Sequence, residues 1–357
     1  MKNTRIIRNI LLYLLGFLIL CLVCIRCLTN WSNAGSGFRN LEEDEYFIQY
    51  LGTGGFLIKK DNLAVLTAPL FSNPLLPVVM TGELHPDKQA IRQYAPDLSN
   101  VDTLLIGHAH YDHMLDVPYL TKHYMQQAML YGSITVRNIL ISELPAERVV
   151  ALNDPKQDYM ASHTYPGTWI YRPVAESDLY QLRFLAIKSS HAPHFGNDKL
   201  NYTLFMGKVA EPLVERPKYA HEWKEGQTLA FLIDILDRQG NIRFRIFFQD
   251  AVSSAPVGLP PAAVLAEKRI DAAILCVPCF DKVSRYPEYI IEATSPRTVI
   301  LGHWEDFFLP YSHRLEDTVP LPLSLPEIFI HRLEQVMPAD GQWILPVRGS
   351  VYILQEE

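Results

Sequence analysis

The sequence has no long basic tract and no run in which basic and aromatic side chains interleave. Its 32 Lys and Arg stand against 39 Asp and Glu, for a net charge of −7. Such a balance offers no electrostatic footprint for a phosphate backbone, which excludes nucleic acid as the expected partner. Cysteine is sparse too. Of five in 357 residues, Cys21, Cys24 and Cys27 fall in or beside one apolar stretch near the N-terminus, leaving Cys276 and Cys279 for the rest. A disulfide-stapled scaffold is thereby excluded. The spacing Cys276-Val277-Pro278-Cys279 is that of redox motifs, but a lone pair lacks the second pair that a structural zinc site needs, and it closes the apolar strand Ala272 to Leu275. Two thiols buried at a strand end are the simpler reading. Repeats are also missing, and a chain with 48% hydrophobic and 20% charged residues can bury a large core.

Charge is absent altogether from Ile10 to Ile25, between Lys2, Arg5 and Arg8 on one side and Arg26 on the other. With Ile6 and Ile7 this run approaches the roughly 17–25 residues that cross a bilayer. The basic flank places the N-terminus inside and the globular part on the extracytoplasmic side, anchored by a single pass. Residues 1–40 are therefore expected to be a membrane anchor or signal segment with its linker, and residues 41–357 the functional domain. The competing reading is a cleaved signal peptide and a secreted or periplasmic domain, with Ser32-Asn33-Ala34 as a weak cleavage site far from the apolar run.

Histidine is concentrated in one place. The apolar run Val101 to Ile106 is followed by Gly107-His108-Ala109-His110-Tyr111-Asp112-His113. A short apolar run bounded by glycine reads as a buried strand, so the polar cluster sits where that strand leaves the core. Three imidazoles and a carboxylate are costly to desolvate there unless something binds them. In an extended backbone His108 and His110 project the same way, and Asp112 and His113 turn toward a second centre. Such nitrogen and oxygen ligands suit zinc first, then manganese or iron.

The surrounding pattern alternates strands and helices. Tyr46 to Leu51 and Phe56 to Ile58 read as a hairpin about Gly52-Thr53-Gly54-Gly55, Asn62 to Leu66 as a strand, and Pro86 to Tyr94 as a helix. After the cluster, Leu115 to Gln127 reads as one amphipathic helix, with Asp116 in its first turn beside the histidines. Shorter segments follow at Met129 to Gly132, Ile134 to Ile141, Val149 to Leu152 and Thr168 to Pro173, and a second half begins at Tyr180. This rhythm predicts an α/β protein with two sheets packed face to face and helices outside. Three more polar residues close apolar strands: His191 after Leu182 to Ile187, Asp250 after Ile242 to Phe248, and His303 after Thr298 to Leu301. His194, three residues beyond His191, is the reserve for that position.

The HxHxDH order of residues 108–113 resembles, letter for letter, the signature of the metallo-β-lactamase superfamily, and His191, Asp250 and His303 resemble its later motifs. The resemblance implies a four-layer αββα sandwich with metals at one edge between the sheets. By carry-over, His108, His110 and His191 hold metal one, Asp112, His113 and His303 hold metal two, and Asp250 bridges them. Two zinc ions are implied, with manganese or iron as alternatives. Ions about 3.5–4 Å apart lower the pKa of a shared water, which Asp112 and Asp250 would orient as catalytic carboxylates. His110 stands where flavodiiron oxygen reductases carry Glu, which speaks against electron transfer.

The His110-Tyr111-Asp112-His113 wording is similar to the branch containing the phospholipase D of N-acyl-phosphatidylethanolamines and the ascorbate-phosphate lactonases. That implies hydrolysis of a phosphodiester or lipid-like ester. An aromatic rim of Tyr111, His194, Phe195 and Trp304 to Phe308 beside the anchor fits a lipid or other small-molecule substrate. The alternatives are a lactonase or amidohydrolase on the same ions, and a degenerate binding protein without efficient catalysis. The sequence names no protein partner. One departure matters: Thr67-Ala68-Pro69 stands where the family carries an Asp-Pro pair whose carboxylate orients the histidine motif. Losing such a partner costs on the order of 10–100-fold in metal affinity or activity, so Ala68→Asp is expected to tighten binding. Finally, Glu211 to Glu225 reads as an exposed loop able to act as a lid.

Overall fold

The computed structural model describes residues 45–60, 62–173 and 180–355, which form two seven-stranded mixed sheets. In chain order the first sheet collects β1 (Phe47–Gly52), β2 (Gly55–Lys60), β3 (Leu63–Thr67), β4 (Thr103–Leu105), β5 (Met129–Gly132) and β6 (Val149–Ala151). A small pair, β7 (Asn153–Asp154) and β8 (Gln157–Asp158), leads to the second. That sheet collects β9 (Ile170–Pro173), β10 (Tyr180–Lys188), β11 (Leu229–Asp237), β12 (Ile242–Gln249), β13 (Ala272–Cys276), β14 (Thr298–Gly302) and β15 (Gln342–Ile344). The last strand, β16 (Val351–Ile353), returns to the first sheet and pairs antiparallel with β1. In each sheet one side is antiparallel and the other parallel. The parallel strands are β3 to β6 in the first and β12 to β15 in the second.

Period-two alternation sorts the core into layers. Leu104 of β4 packs outward with Ile91, Leu115, Leu120 and Ile139, while its neighbour Leu105 turns inward among Phe184, Phe231 and Phe248. In β12, Phe247 likewise faces outward to Ile290 and Phe329, and Phe248 faces the other sheet. Each such side chain contributes about 1.5–3 kcal/mol when fully buried. The helices supply the outer layers: α1 (Leu76–Thr81), α2 (Lys88–Tyr94), α3 (Tyr111–Met114), α4 (Val117–His123) and α5 (Ile134–Leu140) in the first half, and α6 (Asp198–Leu204), α7 (Ala262–Glu267), α8 (Glu288–Thr294) and α9 (Pro326–Glu334) in the second. The result is an α/β/β/α sandwich.

Three expectations need correction. The helix expected over 115–127 is a shorter one, Val117–His123, separate from the turn Tyr111–Met114 that carries the histidine motif, with Asp116 at its N-cap and Pro118 in its first turn. Asp116 also turns away from the histidines: its carboxylate accepts from the backbone N–H of Phe71 at 2.7 Å and of Ser72 at 2.9 Å, and from the Ser72 hydroxyl. The stretch 211–225 is strapped down, since Leu213 N–H donates to the Asn138 carbonyl, Leu84 N–H to the Lys218 carbonyl, and Trp223 is buried. It is therefore no free lid. Among the described residues no helix is long and apolar enough to cross a membrane. The run Ile10 to Ile25 lies outside the described residues.

Candidate metal centre

The carboxyl ends of β4, β10, β12 and β14 converge on one edge of the sandwich. Beyond β4, the Gly107 carbonyl accepts a 2.7 Å hydrogen bond from Leu229 N–H at the start of β11, tying the first sheet to the second. Ala109 N–H then donates to the Glu225 carbonyl at 3.0 Å, so the backbone between His108 and His110 is held extended. The chain turns into α3 at Tyr111, which brings Asp112 and His113 round on one short turn. His191 follows β10, and Asp250 and His303 directly follow β12 and β14. His303 has a φ of 61°, a left-handed conformation uncommon for any residue but glycine.

All seven side chains named from the sequence come together here. Ligand atoms of His108, His110 and His191 lie within 4.8 Å of one another, as do those of Asp112, His113 and His303, and those of His108, His113 and Asp250. His108 Nδ1 is 2.7 Å from Asp250 Oδ2, and His113 Nδ1 is 3.1 Å from Asp250 Oδ1. Asp112 Oδ2 lies 3.1 Å from His303 Nε2 and 3.5 Å from His113 Nε2. Two outer rings are fixed from behind: His191 Nδ1–H donates to the Ala192 carbonyl at 2.6 Å, and His110 Nε2–H to the Phe205 carbonyl at 3.3 Å. Each therefore presents its other nitrogen to the centre, the arrangement expected of oriented metal-binding imidazoles.

The residues fit a divalent metal. His108 Nε2 and His113 Nε2 are buried without a hydrogen-bond partner, as is His303 Nδ1, and such orphaned buried atoms are rare without a ligand. Burial and the neighbouring imidazoles push His110 and His191 well below the ordinary histidine range, which keeps them neutral and able to ligate. Burial works against the Asp250 and Asp112 carboxylates, but the surrounding imidazoles outweigh it and hold both below the ordinary range. His113 moves the other way: burial lowers it, yet Asp250 and Asp112 raise it above its usual value.

Several supporting residues were not singled out from the sequence. A Cβ on Gly107 would lie 2.3 Å from Asp250 Oδ2, and one on Gly54 2.7 Å from both Asp250 Oδ1 and His113 Nδ1. Only glycine lets the backbone approach this closely. Behind His303, the Tyr50 hydroxyl accepts from His303 N–H at 3.0 Å and donates to Glu305, while Glu305 also accepts from Thr53 N–H at 2.7 Å. Arg348 completes the buried group, 3.5 Å from Glu305. The expected aromatic rim is thus corrected in part. Trp304, Glu305 and Asp306 are buried supports, whereas Phe307 lies against the His303 ring at 5.0 Å and Phe195 is exposed.

His194 lies 4.8 Å from the His191 ring and 4.1 Å from Phe205, centroid to centroid. Its Nε2 is buried and unpartnered, and burial pushes it down to about 4. It falls outside all three ligand groups and lines the centre instead. Cys276 and Cys279 are free thiols. Burial pushes Cys276 well above the ordinary range and Cys279 up to about 11, so neither is a reactive thiolate at neutral pH.

Fold and site together define a class, the α/β/β/α sandwich with a buried His and Asp centre for a divalent metal at its sheet edge. No family profile and no curated protein sequence matches the chain. Among solved structures the chain is similar to a novel metallo hydrolase from Ignicoccus hospitalis, at 11% identity and TM-score 0.49, over 87% of this chain and 99% of that one. It is also similar to a metallo-β-lactamase fold protein from Bacillus subtilis, at 12% identity and TM-score 0.45, over 87% of this chain and all of that one. A diiron β-hydroxylase from Streptomyces venezuelae matches at 12% identity and TM-score 0.48, over 88% of this chain but 55% of its own. Likeness at this level carries no activity across, and function has to be argued from the site.

Proposed function

We propose that the chain is a metal-dependent hydrolase of the metallo-β-lactamase type, with one ion at His108, His110 and His191 and a second at Asp112, His113 and His303. The observation that carries the reading is that two compact three-residue groups stand beside a third, His108, His113 and Asp250, which takes one histidine from each and adds Asp250. Divalent ions held there would supply Lewis-acid charge and an activated water to a carbonyl or phosphoryl group. The protein contributes the rest. The Ala192 and Phe205 carbonyls aim the His191 and His110 rings, Asp112 sets His303, and His194 offers a polar atom over the centre.

A phosphodiester or lipid-like ester is the favoured substrate. Its support is the apolar approach beyond His194, where Phe195, Leu200, Tyr202 and Met206 are exposed on the loop and on α6. A membrane anchor at residues 10–25, with the globular part on the extracytoplasmic side, would bring that approach to a lipid surface. Zinc is the expected metal, with manganese or iron as alternatives.

The test is elemental analysis of the full chain in detergent, followed by a panel of phosphodiester, lactone, β-lactam and amide substrates. About two equivalents of metal are expected, with fewer in His110→Ala, and turnover of the phosphodiester. Turnover of lactone or amide alone would reassign the substrate. Bound metal with no turnover would make the chain a binding protein, and substoichiometric metal after zinc titration would overturn the reading.

A further inference from the structure

We propose that His194 is a substrate-binding residue: its Nε2–H holds a phosphoryl oxygen of the substrate, and the loop and helix α6 that fix the ring set which arm of the substrate lies alongside. This inference rests on the two-ion reading above and deepens it.

His194 stands apart from the ligands, in none of the three groups whose atoms converge. Its ring lies 4.8 Å from His191 and 5.6 Å from His110, so it borders the first group, and the charges of Asp112 and His303 reach it from the second. It therefore overlooks the space between the two ion sites. Its Nε2 is buried and has no hydrogen-bond partner. A buried polar atom left unpaired is costly, and at the lip of a reaction centre the partner that removes the cost is the group that enters it.

Neighbouring residues fix the ring in place. Asn201, buried on α6, clasps the loop: Phe195 N–H donates to its Oδ1 at 2.9 Å, and its Nδ2 donates to the Phe195 carbonyl at 2.6 Å. One amide side chain thus satisfies both backbone groups next to His194. Phe205 closes another side. Its ring packs on His194 at 4.1 Å between centroids while its carbonyl accepts from His110 Nε2–H, so one residue sets both a metal ligand and the proposed substrate contact. Beyond His194 the loop opens: Phe195 is exposed, and a Cβ on Gly196 would meet nothing within 4 Å. An oxygen held at His194 leaves the organic arm of the substrate to lie against Phe195 and the exposed Leu200, Tyr202 and Met206. That arrangement suits a phosphodiester with an apolar arm.

Calorimetric titration of inorganic phosphate into the zinc-loaded full chain in detergent tests this, with zinc content measured on every variant. His194→Ala is expected to keep about two zinc ions and to bind phosphate on the order of 10–100-fold more weakly, because a hydrogen bond to a charged group is lost. His194→Gln, which keeps an N–H near the Nε2 position, is expected to recover part of that loss. Asn201→Ala is expected to weaken phosphate binding in the parent but to add little once His194 is already Ala, since it acts through that ring. With bis(para-nitrophenyl) phosphate, kcat/KM is expected to fall alongside the phosphate affinity. Loss of one zinc ion in His194→Ala would make His194 a ligand and overturn the proposal. Unchanged phosphate affinity at full zinc content would overturn it too, while leaving the two-ion reading standing. If the unmodified chain binds no zinc, the two-ion reading falls and this contact falls with it.

Discussion

Glu225 lies half-buried beside the histidine loop, its backbone carbonyl bonded to Ala109, and burial alone pushes its carboxyl up from 4.5 to about 7. The folded protein thus holds this proton more tightly than the unfolded chain. Stability contributed by the protonated form is complete below about 4.5 and is lost as pH rises through about 7. Glu225→Gln is expected to lack this decline and to exceed the parent at pH 8 by on the order of 2 kcal/mol, after discounting for solvent access. Urea unfolding of metal-free protein at pH 5 and pH 8 checks it. A difference between the two proteins that is the same at both pH values would rule the effect out. Asp250 carries the opposite sign. Its depressed carboxyl stabilises the fold above the ordinary carboxylate range, and that contribution disappears as pH falls through its folded value.

Among elements, the short link after β14 depends on distant partners. His303 keeps its left-handed backbone because its N–H is held by Tyr50 of β1, and Tyr50 is held in turn by Glu305. Such strain persists only where its surroundings enforce it. Glu305→Gln is expected to weaken the second ion by on the order of 10–100-fold while the first, at His108, His110 and His191, stays near its parental affinity. Cobalt titration, read as two spectral steps, separates these. Equal weakening of both steps would place Glu305 in general stability instead.

The same link shows what the sequence could and could not reveal. The strands Thr103–Leu105 and Ile242–Gln249 were legible because their apolar side chains stop at Gly107 and at Gln249-Asp250, and the histidines because six positions hold four chemical groups. Tyr50, Glu305 and Arg348 were not legible, because the partners lie 255 residues apart or, like Arg348, in a loop with no pattern of its own. Likewise β11 and β16 carried no motif to mark them, and β16 is only three residues long. The helix expected over 115–127 failed locally. Its apolar spacing was sound over Val117–His123, but the helix stops short of Gln127, and Asp116 at its N-cap turns to the Phe71 and Ser72 N–H groups instead of the histidines.

For the molecule as a whole, the C-terminal segment is part of the site wall. Pro346 accepts from the Trp304 indole, Gly349 N–H bonds to the Tyr50 carbonyl, and β16 closes the edge at β1. Removing residues 346–357 is expected to abolish binding of the second ion, although none of its ligands lies in that segment. Zinc stoichiometry falling to one or below would agree, and two retained ions would refute it.

The Leu229-to-Gly107 bond across the sheets marks where the two halves of the chain meet, and the ligands divide at the same seam. The first half carries His108, His110, Asp112 and His113, yet the first group lacks His191 and the second lacks His303 until the later strands are in place. A nascent chain emerging N-terminus first can therefore assemble neither cage early. With the ligands proposed above, metal capture would be a late event that reports finished synthesis, and a bound ion would clasp the two sheets, so that resistance to unfolding is expected to rise with the supply of metal.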